Sequence, residues 1–146
     1  MKWNEINSET KEWHIPAERM KMKEKHIVPL SKQAIELLSQ IRRLHNNPDF
    51  VFPSRINPNK STSENTLIFA IYRMGYHSKA TAHGFRATAS TILNEKNFRA
   101  DVIEKQLAHG ERNKVRASYN HAQYLPERKQ MMQWWADCLD KLGGKR

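Results

Sequence analysis

The apolar residues of this chain change their spacing once, near Ser31. Before that point Trp13 and Ile15 alternate with polar residues, and the segment 26–30 is a second β-rich run. Alternation with a period of two is typical of strands, and the charged stretch 18–25 between the two runs is typical of a hairpin connection. After Ser31, apolar residues recur three and four apart, which predicts helices. The sequence therefore predicts an α+β, mainly α, fold with a small N-terminal antiparallel β-sheet over 1–30.

Residues 31–142 are predicted to be mainly helical, with a break at 46–49 and a loop over 50–62, and the last four residues, 143–146, look like a frayed tail. Ser31 is a suitable N-cap for the first helix, and Pro126 is a suitable first-turn residue for the last. We expect about five helices: from Ser31 to about His45, from Ser63 to Gly75 with Leu67, Ile68, Ile71 and Met74 as its apolar positions, from His83 to Asn94, from Ala100 to Ala108, and from Pro126 to about Leu142.

Length and charge restrict the function more than the fold. The 146 residues suit one domain, and 25 Lys and Arg against 15 Asp and Glu give a net charge of +10. Such an excess favours a polyanionic partner, nucleic acid first and an anionic membrane surface second.

Cys138 is the single cysteine, so a disulfide framework is excluded. No apolar run approaches the roughly 20 residues of a membrane helix, and no apolar signal segment follows Met1. We expect a cytoplasmic basic protein.

Four short features contain residues that could act on a phosphate. His83 and Arg86 are three residues apart and share one helix face, where an arginine fork can bind a phosphate and a histidine can move a proton. His109 comes at a helix end before a glycine, Tyr119 could be a nucleophile, and Lys21 could protonate a leaving oxygen. Taken singly, each feature is more typical of an ordinary cap, packing or solvated surface residue.

Taken together, these features form a pattern. The order Lys21, His83-x-x-Arg86, His109, Tyr119 on a basic chain resembles the catalytic domain of the tyrosine recombinases, the phage integrase family, with the integrases of satellite phages and genomic islands as the nearest type. The resemblance covers nearly all of 1–146, as part of such a domain. The matching segments are IPAERMKM (15–22), HIVPLS (26–31), VFPS (51–54), HGFRATAS (83–90), LAH (107–109) through SYN (118–120), and ERKQMMQWWAD (127–137).

The resemblance implies a role for each of the five residues. Tyr119 matches the nucleophile that forms a 3′-phosphotyrosyl link, and Arg86 matches an arginine that binds the scissile phosphate. His83 matches the acid or base beside it, His109 a donor to a phosphate oxygen, and Lys21 the hairpin lysine that protonates the leaving 5′ oxygen. Cations and N–H donors arranged around a pentavalent phosphorane would supply the catalysis, so no metal or cofactor is expected.

The resemblance also implies partners. We expect double-stranded DNA, other integrase protomers in a tetramer on DNA, and a DNA-bending protein, in a bacterial cytoplasm at the nucleoid. Weaker candidates for phosphate contacts are Lys23, Arg112, Lys114 and Arg116.

One element of the family pattern has no counterpart here. Arg86 matches the second conserved arginine of the family; the first lies in a Gly-x-Arg-x-x-Glu-like segment upstream of the hairpin, and these residues contain no such segment. We therefore expect a polypeptide of these residues to be inactive, or nearly so, as a recombinase when alone. The alternatives are a non-catalytic DNA-binding remnant of an integrase and an unrelated basic module such as an RNA-binding protein. A histidine metal site is disfavoured because His83 and His109 lack further ligands at metal-site spacing.

The last helix has two possible placements. Its Met131, Trp134, Trp135 and Leu139 could pack on their own domain, or they could dock on a neighbouring protomer as an amphipathic helix in a groove. The sequence leaves both placements open.

Overall fold

The computed structural model describes residues 1–108 and 124–144. A three-stranded antiparallel sheet contains β1 (Ile6–Asn7), β2 (Glu12–Ile15) and β3 (His26–Pro29), in that order. Trp13 of β2 pairs with Ile6 on one side and with Val28 on the other. The predicted N-terminal sheet is confirmed, although Trp3–Glu5 form a 3₁₀ turn and the first strand begins only at Ile6.

The connection between β2 and β3 occupies residues 16–25, and the antiparallel pairing of these strands makes it the predicted hairpin. It opens with a 3₁₀ turn at Ala17–Arg19, which the Arg19 guanidinium ties to the Glu5 carboxylate at 2.5 Å. Lys23 has a left-handed backbone with φ +55°, and its Nζ donates to the Glu18 carbonyl at 3.4 Å. Lys21 is exposed in the middle of this connection.

Five α-helices follow within the described ranges. The first begins after Ser31, whose hydroxyl accepts from the Ala34 amide at 3.2 Å as predicted. The second runs into a π-helical segment, Tyr72–Tyr76, in which Gly75 takes a φ of +86° that other residues rarely adopt. The helices are α1 (Lys32–Leu44), α2 (Thr66–Ile71), α3 (Ala82–Glu95), α4 (Ala100–Gln106) and α5 (Leu125–Leu142).

Several helix boundaries differ from the prediction: α2 is Thr66–Ile71 and not Ser63 to Gly75, and local geometry explains the differences at α3 and α4. Helix α3 begins one residue before His83, because the hydroxyl of Thr81 accepts from the Gly84 amide at 2.9 Å and so caps the helix earlier. Helix α4 ends at Gln106, two residues before Ala108, which takes a left-handed φ of +52°. A residue in that conformation cannot continue a right-handed helix.

The core lies where α3, α4 and α5 meet. Its buried side chains are Leu93, Val102, Ile103 and Met131, and Met131 of α5 is 0% exposed. Polar contacts join α5 to α1 as well, since Gln33 Nε2 donates to the Asp137 carboxylate at 2.7 Å. Of the two placements open from the sequence, the structure therefore has α5 on its own domain.

Helix α2 does not join this core. It is almost entirely apolar in sequence, but none of its residues is buried, and Leu67 is 68% exposed. Met74, in the π-helical segment, is 65% exposed. Of the predicted apolar positions, Leu67 and Met74 are thus exposed, while Ile68 and Ile71 are half-buried. In residues 1–108 and 124–144, no helix combines the length and apolar character needed to cross a bilayer.

Candidate active site

Arg86 lies in the second turn of α3, and the start of that helix fixes its direction. Thr81 caps the helix, and an added Cβ on Gly84 would lie 3.2 Å from the capping Thr81 oxygen. The glycine between His83 and Arg86 therefore allows a close approach of the cap. Arg86 is half-buried, and its Nη2 donates to the backbone carbonyl of Leu107, at the end of α4. A guanidinium has five N–H donors, so further donors can serve an anion.

The end of α4 is a natural place for such a bond. The last carbonyls of a helix lack partners within the helix and form the negative end of its dipole. Leu107 is the C-cap of α4, and its side chain packs against the core. Arg86 therefore connects α3 to the residue that lies two positions before His109.

A buried arginine lies next to this contact. Arg128, on the first turns of α5, is 2% exposed. Its Nε and Nη2 donate to Gln106 Oε1 at 2.9 and 2.7 Å, and Nη2 also donates to the Ile27 carbonyl at 2.6 Å. These acceptors are neutral. Burial lowers the pKa of Arg128 to about 10, so the side chain still carries its charge at neutral pH. One buried cation thus joins β3, α4 and α5.

His26, at the start of β3, lies close to Arg86 and Arg128. It is 8% exposed, and its ring hydrogen bonds the backbone of Gln106. Burial and the nearby positive charges of Arg128, Lys105 and Arg86 lower its pKa to about 4, an effect that the Gln106 carbonyl partly opposes. His26 is therefore neutral at pH 7. We call His26, Arg86, Gln106, Leu107 and Arg128 the α4-end cluster.

The chain beyond position 123 is anchored at the other end of α4. Tyr124 has a left-handed φ of +62°, and the Arg99 guanidinium lies 4.8 Å from the centre of its ring. A hydrogen bond from its hydroxyl to the Asp101 carboxylate raises the pKa of Tyr124 and lowers that of Asp101, whose carboxylate also pairs with Arg99 at 2.7 Å. The described residues that flank 109–123 thus lie at opposite ends of one short helix.

The other predicted site residues are less closely connected in the described structure. His83 is exposed in the first turn of α3, three residues from Arg86. Lys21 is exposed on the hairpin, and Lys23 bonds within its own turn. Five predicted residues lie outside the described residues, namely His109, Arg112, Lys114, Arg116 and Tyr119.

Sequence reasoning did not single out His26, Gln106 or Arg128. A signal for Arg128 was present, because it is three residues before Met131 and seven before Trp135, on the stripe of α5 that packs against the core. A charged residue on an apolar stripe indicates a buried, partnered charge. For Gln106 no comparable pattern exists, because its role depends on an arginine 22 positions away.

The arrangement favours anion binding. Arg86, Lys105 and Arg128 act on His26 from three helices, and each of these charges is positive. Positive groups held in partly buried surroundings interact more strongly with an anion than they would in water. Across residues 1–108 and 124–144, no three His, Cys, Asp or Glu side chains come together in a way that could hold a metal ion.

Comparison with known proteins gives a consistent result. The model of the phage integrase family matches residues 1–125. The chain is 47% identical over 138 residues to the prophage integrase IntA of Escherichia coli K12, covering 94% of this chain and 33% of that protein. It is 44% identical to the integrase of Enterobacteria phage P4, over 95% of this chain and 35% of the relative. For the integrase of Shigella phage Sf6 the identity is also 44%, over 97% of this chain and 37% of the relative. The chain spans about a third of the length of these relatives. No solved structure matches it.

Proposed function

The chain belongs to the phage integrase family, and we propose that it supplies phosphate-binding and nucleophilic residues for site-specific DNA recombination. The observation that carries this proposal is the position of Arg86. Its guanidinium donates to the Leu107 carbonyl at the end of α4, close to the positive charges of Lys105 and Arg128. Leu107 is two residues before His109. A fixed arginine fork is suited to bidentate binding of a phosphodiester.

The proposed reaction is a transesterification at phosphorus. The hydroxyl oxygen of Tyr119 bonds to the scissile phosphorus as its proton is removed, with His83 as the candidate base. The bond from phosphorus to the 5′ oxygen breaks, and Lys21 gives that oxygen a proton. The 3′-phosphotyrosyl link retains the phosphodiester bond energy, and the reverse attack by a 5′ hydroxyl rejoins the strands without ATP.

In this proposal, Arg86 and His109 stabilise the transition state. The phosphorane carries more negative charge on its oxygens than the ground state does, and fixed donors lower its energy most. Lys23, Arg112, Lys114 and Arg116 are proposed contacts to flanking phosphates, which would position the duplex without reading its sequence. The proposed partners are duplex DNA and further integrase protomers.

These 146 residues hold no counterpart of the family's upstream arginine. By analogy with the loss of one oxyanion-hole donor in other enzymes, which costs about 3–4 kcal/mol or a factor of roughly 100 to 1,000 in rate, lack of this arginine should cost several kcal/mol of transition-state stabilisation. We therefore propose that a polypeptide of residues 1–146 alone binds DNA but cleaves it poorly. The second candidate function is that of a non-catalytic DNA-binding protein.

A chimera separates the two candidates. Residues 1–146 would replace the matching third of the Escherichia coli prophage integrase IntA, so that the relative supplies the remainder. Covalent complexes on that integrase's own attachment-site duplex, carrying a nick beside the scissile phosphate, would be counted on denaturing gels. Catalysis predicts an adduct that Tyr119→Phe abolishes while DNA binding persists. A folded chimera that binds the duplex and forms no adduct would establish the binding candidate instead.

A further inference from the structure

At the end of α4, hydrogen bonds connect the position of Arg86 to the positions of Gln106 and Arg128. Arg128 donates twice to the Gln106 side chain, and Arg86 donates to the carbonyl of the next residue, Leu107. Side chains of α3 and α5 therefore hold two adjacent residues of α4 from two directions. Any displacement of Gln106 moves the carbonyl on which the Arg86 guanidinium rests.

Arg128 is costly in this position. It is a charged side chain, 2% exposed, whose hydrogen bonds in the described structure are to the neutral Gln106 and Ile27 oxygens. A buried charge without an ionic partner is unfavourable, and apolar packing commonly serves stability equally well or better. The observed contacts give the arginine another use, because its planar fork fixes the Gln106 amide against the backbone of β3.

We propose that Gln106 and Arg128 are positioning residues for Arg86. They hold the carboxyl end of α4 in the place where the Leu107 carbonyl orients the Arg86 guanidinium for phosphate. The inference rests on the proposed function, in which Arg86 is the phosphate ligand. Neither Gln106 nor Arg128 is assigned any contact with DNA, so both act through Arg86.

His26 supports the same point from β3. It is buried and hydrogen bonds the Gln106 backbone, so β3 and α5 both hold Gln106. The charged groups that face His26 are Lys105 on α4, Arg86 on α3 and Arg128 on α5. A neutral histidine is suited to this place because it can donate to a carbonyl without adding a further positive charge.

The test separates positioning from stability through paired substitutions. Gln106→Met leaves the Arg128 charge buried without its amide acceptor and should destabilise the fold. Replacing both residues, Gln106→Met with Arg128→Met, removes the buried charge together with its side-chain acceptor and leaves the Ile27 carbonyl without this donor, which is less costly than a buried charge that lacks its acceptor. Gln106→Glu retains an oxygen acceptor for Arg128. Val102→Ala is the matched control, since Val102 is 1% exposed on the same helix.

Two measurements are made on the 146-residue chain. The first is the NMR order parameter of the Arg86 Nε–H bond, which reports how firmly the guanidinium is held. The second is the dissociation constant for inorganic phosphate, with Arg86→Gln as the reference for lost binding. We expect the double variant to fold, to lose order at Arg86, and to bind phosphate about tenfold more weakly, the size typical of a lost hydrogen bond to a charged group.

Each result either supports or overturns the positioning role of Gln106 and Arg128. Gln106→Glu should keep Arg86 ordered, and Val102→Ala should lower stability while both readings stay as in the unmodified chain. A folded double variant with an unchanged Arg86 order parameter overturns the positioning role. If Arg86 loses order in the double variant but phosphate binding never depends on Arg86, the positioning role is supported and the proposed function is contradicted.

Discussion

Mild acid should destabilise this fold through one side chain, His26. The pKa of His26 is about 4 in the folded chain, and the ordinary value of 6.5 applies when the chain is unfolded. The unfolded state therefore takes up a proton at a pH where the folded state does not. The resulting stability is fully present above pH 6.5 and is lost as the pH falls from 6.5 towards 4.

The size of the effect follows from the two pKa values. Linkage gives a loss of about 2 kcal/mol between pH 7.5 and pH 5, rising to about 3 kcal/mol near pH 4. Domains of this kind are stable by only about 5–15 kcal/mol, so the loss is large. The carboxylates with lowered pKa values, such as Glu5 and Glu12, have unfolded values near 4.5 and lose their stabilisation mainly below that pH. The interval from pH 7.5 to pH 5 therefore isolates His26 from these groups.

Urea unfolding at a series of pH values measures this effect directly. The unmodified chain is compared with His26→Asn, which cannot titrate, so that other groups cancel in the difference. We expect the free energy of unfolding of the unmodified chain to fall by about 2 kcal/mol more than that of the variant between pH 7.5 and pH 5. Equal slopes in the two proteins, or an NMR titration of His26 with a midpoint near 6.5, would refute the reasoning.

Three other predictions concern stability and DNA binding. Met131→Ala should cost about 2–5 kcal/mol, because Met131 is fully buried in the core, and the midpoint of urea unfolding measures it. Thr81→Ala should cost about 1 kcal/mol through the lost cap of α3, whereas Thr81→Ser, which keeps the oxygen, should cost less; equal losses would contradict the capping role. Arg86→Gln should weaken binding to a duplex oligonucleotide in gel-shift titrations and flatten its salt dependence by about one phosphate contact, and an unchanged slope would argue against a phosphate contact.

Local patterns in the sequence determined the elements. The change of period at Ser31 separated the sheet from the helices, and the Ser31 cap was predicted and is present. These features depend on residues a few positions apart, where backbone geometry links sequence to structure directly. The motif that contains His83 and Arg86 was visible for the same reason, since its spacing is one helical turn.

The tertiary structure decided which side chains are buried and what they contact. Arg128 bonds Ile27 across 101 positions and Gln106 across 22, and no local pattern encodes such a pair. The placement of α5 was likewise open from its amphipathic sequence, because an apolar face specifies burial but not the surface that buries it. Helix α2 is a second example: its sequence is apolar, but none of its residues is buried, and Leu67 and Phe69 are exposed. Burial and electrostatics depend on long-range packing, and for that reason the surroundings of Arg86 emerged only from the folded chain.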